Sequence, residues 1–256
     1  MFGALEDILN FNSSSPLKGK GILITERGAD GSFMLHHLIA TYLRGGHYVC
    51  LVGLAETFTH YSCVAAKLSL NLAASRDAGQ FVFIDALRTI GDEIFKNSSS
   101  DCISSDVTTA RVPPESSSTS SRLPLRDLYE TIKSGLDQLR EWRSKPTLLV
   151  VDELSLLLIL GHSTSAVSIL ANQLQLLVCP TEQSQGTFST LIHTGRSAND
   201  KEIDQLQKEI SYKCHQLIYI DCLKTGYCRE VSGEVFKLIN AFLLVQISYY
   251  MVTCLS

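Results

Sequence analysis

The run Thr147–Val151 (T-L-L-V-V) constrains the fold of this chain more than any other stretch. It follows Pro146, is β-rich, and shows no apolar–polar alternation. A strand of that kind is buried on both faces, which places it inside a parallel sheet covered by helices on either side. It ends in Asp152-Glu153, at the carboxyl edge of the predicted strand. Open α/β sheets bind ligands along that edge. Four apolar residues closing on an acid also have the form of a Walker B strand, whose Asp serves a Mg²⁺ ion in nucleotide-hydrolysing folds. The plainer reading is that any buried strand must finish in something polar. Which one applies depends on whether a phosphate loop lies upstream.

The upstream context has the right order. Lys20–Thr25 (K-G-I-L-I-T) reads as a strand, residues 26–32 as a glycine-containing loop, and F-M-L-H-H-L-I-A-T-Y-L as a helix with Leu35, Leu38, Ile39 and Tyr42 on one face. The chemistry does not follow. Aligning Gly31 with the second glycine of G-x-x-x-x-G-K-[ST] puts Glu26 at the first glycine, Ser32 at the lysine and Phe33 at the hydroxyl position. The ammonium for the β- and γ-phosphates and the hydroxyl for Mg²⁺ are both missing, and a carboxylate stands where phosphates would approach. Gly28, Gly31 and Ser32 therefore mark a degenerate phosphate loop, with Asp152 and Glu153 as its Walker-B-like counterpart. No catalytic residue, cofactor or metal is expected. His36 and His37 are adjacent on a predicted helix, so they point to different faces and cannot share a metal.

The remaining chain repeats the strand–helix alternation of βαβ units. Strands are expected at His47–Leu54, Gln80–Asp85, Gly186–His193 and His215–Ile220. Helices are expected near Leu5–Leu9, His60–Leu70, Leu87–Phe95, Leu123–Arg143, Ala166–Val178 and Glu202–Tyr212. The segments Leu154–Leu160 and Val167–Leu177 are apolar and broken at Gly161, and Gly233 is expected in a hairpin turn. Glu56 lies just past the second strand. In RecA-type ATPases a glutamate there aligns the attacking water; an exposed loop carboxylate is the simpler account. Residues 97–122 are Ser/Thr/Pro-rich with little to bury, which predicts a disordered insertion in a domain spanning residues 1–237. From Leu238 to Ser256 no charged residue occurs. Asn240, Gln246 and Ser248 interrupt that segment and no basic cluster follows it. An atypical carboxyl terminus in place of native strands is expected, rather than a membrane anchor.

Charge and cysteine usage narrow the class. The net charge is −4 and the pI about 6.0, so no global basic field draws in nucleic acid. A local cluster (Arg196, Lys201, Lys208, Lys213, Lys224 and Arg229) is a possible RNA-facing surface and equally an ordinary solvated helix with its loops. The amino terminus has early acids and no basic region, unlike a secretory signal. Eight cysteines without C-x-x-C pairs fit core filler and free thiols, and Cys214, His215, Cys222 and Cys228 lack zinc-finger spacing.

Several blocks taken together resemble the Elongator complex protein 6 family. They are D-G-S-F-M-L-H-H (Asp30–His37), F-T-H-Y-S (Phe58–Ser62), K-L-S-L (Lys67–Leu70), L-L-V-V-D-E-L-S-L-L-L-I-L-G (Leu148–Gly161) and T-G-Y-C-R-E-V-S-G (Thr225–Gly233). The resemblance runs to about Val235, interrupted by the Ser-rich stretch. It implies a RecA-like fold without a working phosphate loop. It also implies a non-catalytic subunit that joins the fourth and fifth Elongator subunits in a heterohexameric ring. Such a ring binds tRNA and supports the catalytic Elongator subunits in wobble-uridine modification, in the cytoplasm, with the nucleus as a second location. Two other classes stay open on the residues alone: an ATPase with an unorthodox phosphate site, and a tail-anchored membrane protein.

Overall fold

A computed structural model describes residues 13–90, 125–194, 201–223, 233–239 and 250–252. The expected helix near Leu5–Leu9, the Ser-rich insertion, and Arg196, Lys224, Cys228 and Arg229 lie outside the described residues. The chain runs β1 (Lys20–Arg27), α1 (Ser32–Arg44), β2 (Tyr48–Gly53), α2 (Phe58–Lys67), α3 (Leu72–Asp77) and β3 (Phe81–Asp85). It continues with α4 (Leu125–Gln138), β4 (Thr147–Val151), α5 (Leu156–Ile159), α6 (Thr164–Val178) and β5 (Gly186–His193). It ends with α7 (Lys201–Ser211), β6 (Gln216–Asp221), β7 (Gly233–Ile239) and β8 (Tyr250–Val252). Residues 86–90 are also helical.

The strands form one sheet in the order β3-β2-β4-β5-β1-β6-β7-β8. β1 to β6 are mutually parallel, and β7 and β8 are added antiparallel at one edge. β4 sits between β2 and β5 and all five of its residues are buried. Its alternate side chains feed two cores, which is why the sequence shows no polar face. Leu148 and Val150 pack with α1 residues Met34, Leu35, Leu38 and Tyr42. Leu149 and Val151 pack on the other side with Ile132 and Leu136 of α4 and Val167, Leu170 and Leu174 of α6.

Local signals fix the helix starts. Thr57 accepts a hydrogen bond from the His60 N–H at the head of α2, Asn71 from Ala74 N–H at α3 (3.0 Å), and Ser163 from Ala166 N–H at α6. The helix expected over His60–Leu70 is found over Phe58–Lys67, and a further short helix, α3, follows it where none was expected. The first stops at Lys67 because Ser69 takes φ 58°, a left-handed turn that lets Asn71 start the second. Gly233 is not in a turn: it is the first residue of β7, because Glu234 pairs with Asp221 of β6 and Gly233 with Val252 of β8. β7 runs through the expected domain boundary at residue 237 to Ile239, so the start of the uncharged segment is part of the sheet. No helix among the described residues is long and apolar enough to cross a membrane.

Candidate functional site

Because β1, β2, β4, β5 and β6 run the same way, their carboxyl ends meet along one edge. Glu26 and Arg27 come from β1, the 54–56 turn follows β2, Asp152 and Glu153 follow β4, His193 closes β5 and Asp221 closes β6. This is where a doubly wound sheet places its ligand site. Here nearly every polar group at the edge is taken by another group of the same chain.

Asp152 is 4% exposed. Its Oδ1 accepts the Leu54 N–H at 2.7 Å and the Ala55 N–H at 3.2 Å. Its Oδ2 accepts the Ala55 N–H at 3.2 Å, the Glu56 N–H at 3.1 Å and the Tyr61 hydroxyl at 3.2 Å. Three successive amides thus wrap the carboxylate and fix the β2–α2 turn to the end of β4. Burial pushes the Asp152 carboxyl up, while the amides and the Tyr61 hydroxyl pull it back down. Glu56, carried by the same turn, is exposed and lies 3.5 Å from His60 Nδ1.

Glu26 occupies the β1–α1 loop. Its Oε2 accepts the Gly31 N–H and its Oε1 lies 2.8 Å from His193 Nδ1. Its carbonyl accepts both the N–H (2.9 Å) and the hydroxyl (2.7 Å) of Thr194. The Gly31 amide opens helix α1, so a carboxylate sits where the helix end favours an anion. A Cβ at Gly31 would lie 2.9 Å from that carboxylate oxygen and 3.0 Å from Ile220 Cδ1, so a larger residue there would push the Glu26 and Ile220 side-chain ends aside. The Ser32 N–H is taken by Asp30 Oδ1 at 2.8 Å. Gly28 has φ 71°, the left-handed conformation that turns the chain out of β1. Across the edge, Arg27 pairs with Asp221 at 2.5 Å.

Glu153 Oε1 accepts the Ser155 hydroxyl and the His193 N–H at 3.1 Å. Burial pushes its carboxyl up to about 6, with Glu26 nearby adding to the effect. A raised acid binds its proton in the native chain before the unfolded one does. The native state is therefore favoured below the ordinary pKa of 4.5, and that advantage is lost as pH rises through about 6. Denaturant unfolding at intervals between pH 4 and 7 is expected to show a loss of up to about 2 kcal/mol from this group. Glu153→Gln should flatten that slope; an unchanged slope would assign it to another acid.

These residues do not fit a magnesium nucleotide. The loop presents a carboxylate to its own amide, carries no lysine, and Asp152 has both oxygens engaged by protein donors. His36 and His37 are both buried, and burial lowers each to about 4. His36 packs against the His60 and Tyr61 rings. His215 Nδ1 accepts the Gly21 N–H at 2.9 Å and Cys214 is buried. Among the described residues no group of three or more metal-ligating side chains is gathered for an ion. Lys201, Lys208 and Lys213 are exposed, but α7 carries Glu202, Asp204 and Glu209 among them. The sequence reading missed Tyr61, Ser155 and His193 as members of this edge. Glu26, Glu56, Asp152 and Glu153 are the edge residues that the sequence does signal, Glu26 as a carboxylate in a phosphate loop.

The sheet order, the strand–loop–helix at β1 and α1, and the acid pair ending β4 define a RecA-like α/β domain. The sequence model of the family described as Elongation complex protein 6 matches residues 2–241, past Val235 and into the uncharged segment. The chain is 32% identical to Elongator complex protein 6 of Danio rerio over 238 residues, covering 92% of this chain and 85% of that one. It is 30% identical to the proteins of the same name from Homo sapiens over 237 residues (92% and 85%) and Xenopus laevis over 235 residues (92% and 84%). The chain belongs to the Elongation complex protein 6 family.

Proposed function

We propose that this chain is a non-catalytic subunit of the Elongator complex. In this reading it assembles with the fourth and fifth subunits into a heterohexameric RecA-like ring. The ring binds tRNA and supports wobble-uridine modification by the catalytic subunits, in the cytoplasm, with the nucleus as a second location. The observation that carries the reading is the family match across residues 2–241, whose relatives are named for that complex. The carboxyl edge supports the non-catalytic part. Glu26 fills the loop amide with an internal anion, and Asp152 is spent on holding a turn. A nucleotide would have to displace both.

Two measurements test it separately. Tagged full-length chain purified from its own cells is expected to carry the fourth and fifth subunits in equal amounts; their absence would defeat the assembly. Calorimetric titration of the purified chain with Mg-ATP is expected to show no heat of binding; micromolar affinity would defeat the non-nucleotide reading while leaving assembly untouched.

A further inference from the structure

The geometry points to a docking groove between α4 and α6 that receives an amphipathic helix from a protein partner, apolar along one face and acidic along its flanks. This inference is independent of the proposed function. The groove encloses about 990 Å³. Trp142 (6% exposed), Leu170 and Val178 contribute buried surface to it, and Ile169 and Leu176 line it while remaining 55% and 54% exposed.

The helix that forms one wall explains why the groove is apolar. α6 buries Val167, Leu170, Ala171, Leu174 and Val178, which accounts for its packing on the sheet. It then carries a second stripe along the groove, Ala166, Ile169, Gln173 and Leu176 at spacings of three and four, apolar at every position but Gln173. A helix apolar on two faces is one that buries both. Isolated exposed aliphatics need no explanation, but two on one stripe beside a tryptophan-lined cavity do.

Charge selects the occupant. Three charged residues line the groove: Arg126, Glu130 and Arg143. Glu130 is paired with Lys133 at 3.8 Å. Arg143 lies over the Trp142 ring, 4.7 Å from its centroid, and among the described residues neither Arg126 nor Arg143 has a carboxylate partner. An apolar floor flanked by two guanidinium groups without a carboxylate partner, one of them held over the Trp142 ring, matches leucine-type anchors flanked by Asp or Glu. A basic helix would meet like charge at both arginines.

Trp142 is the one tryptophan in the chain and lines the groove from the core beneath it, so a saturable emission shift without a fall in melting temperature reports binding there. The probe is an amidated amphipathic peptide of about 15 residues with leucines along one face and glutamates beside them. Its controls are a twin with lysine for glutamate and a scrambled peptide. With the full chain, the glutamate peptide is expected to shift Trp142 emission saturably at micromolar concentration. The lysine twin should bind at least about tenfold more weakly. Arg126→Glu with Arg143→Glu should reverse that order, and Ile169→Glu should abolish binding with the melting temperature unchanged, since Ile169 lies on the surface. No saturable shift with the glutamate peptide, or equal binding of its lysine twin, overturns the proposal. So do two further results, which assign the groove elsewhere. One is an emission shift with protein concentration alone, lost in Ile169→Glu, which marks a second copy. The other is tighter peptide binding after residues 91–124 are replaced by a short linker, which marks the chain's own segment.

Discussion

Replacing Asp152 with alanine is expected to destabilise the fold by about 3–5 kcal/mol, the range for stripping a buried charge from its partners. The loss comes from stranded donors. The Leu54, Ala55 and Glu56 amides and the Tyr61 hydroxyl would all lose their acceptor at a site that is 4% exposed. Asparagine is not a mild substitute, because its amide would set a donor against donors; a cost of about 2–4 kcal/mol is expected. Tyr61→Phe removes one donor and leaves the carboxylate its three amides, so about 1 kcal/mol is expected. If Asp152 served a metal instead, alanine would remove a cluster of negative charge and leave the apo protein no less stable. Chemical denaturation of the three variants without added metal separates the two roles: the order Ala, Asn, Phe in decreasing damage supports the clamp, and a stable Asp152→Ala protein rejects it.

The clamp also shows where sequence reading stops. β4 was legible to the residue because a strand buried on both faces writes itself as an unbroken apolar run. The sequence also placed Asp152 at the right edge of the sheet. What it could not give was the partner set, which lies 91 to 98 residues away in the chain. The acid that forms a Walker B ending and the acid that ties down a neighbouring turn have the same local sequence. The Glu26–His193 contact spans 167 residues and was invisible for the same reason. Helix α3 is a different kind of miss. Its cap, Asn71 three residues before Ala74, is a local signal, but the helix it starts is only six residues long, too short to show a helical period in the sequence. Gly233 was read as a turn because glycine commonly marks one. The sheet overrode that, since strand pairing on both sides of β7 fixes the residue as extended.

Gly186→Ala is expected to be the most damaging single-methyl change available in the central sheet, at more than about 3 kcal/mol. An ideal Cβ on Gly186 would overlap the Val178 carbonyl oxygen, lie 2.7 Å from its carbonyl carbon and 3.0 Å from its Cβ. The first two of these are backbone atoms, so no rotamer change relieves the overlap. Neither element can move away. β5 is hydrogen-bonded in register to β4 on one side and β1 on the other, with Gly186 opposite Thr147, and the Gly186 carbonyl accepts the Gly19 N–H at 2.8 Å. Val178 closes α6, whose inner face is locked into the core by Leu170 and Leu174. Relief would require α6 to lift from the sheet, opening a cavity along its whole inner stripe. Gly46→Ala is the matched control: its Cβ would meet nothing within 4 Å, and its φ of 70° limits the cost to backbone strain of about 1 kcal/mol. Soluble yield and melting temperature of the two variants, prepared side by side, give the comparison. A Gly186→Ala protein that melts as high as Gly46→Ala would mean that α6 and β5 are not packed this closely, and the groove that α6 borders would have to be redrawn with them.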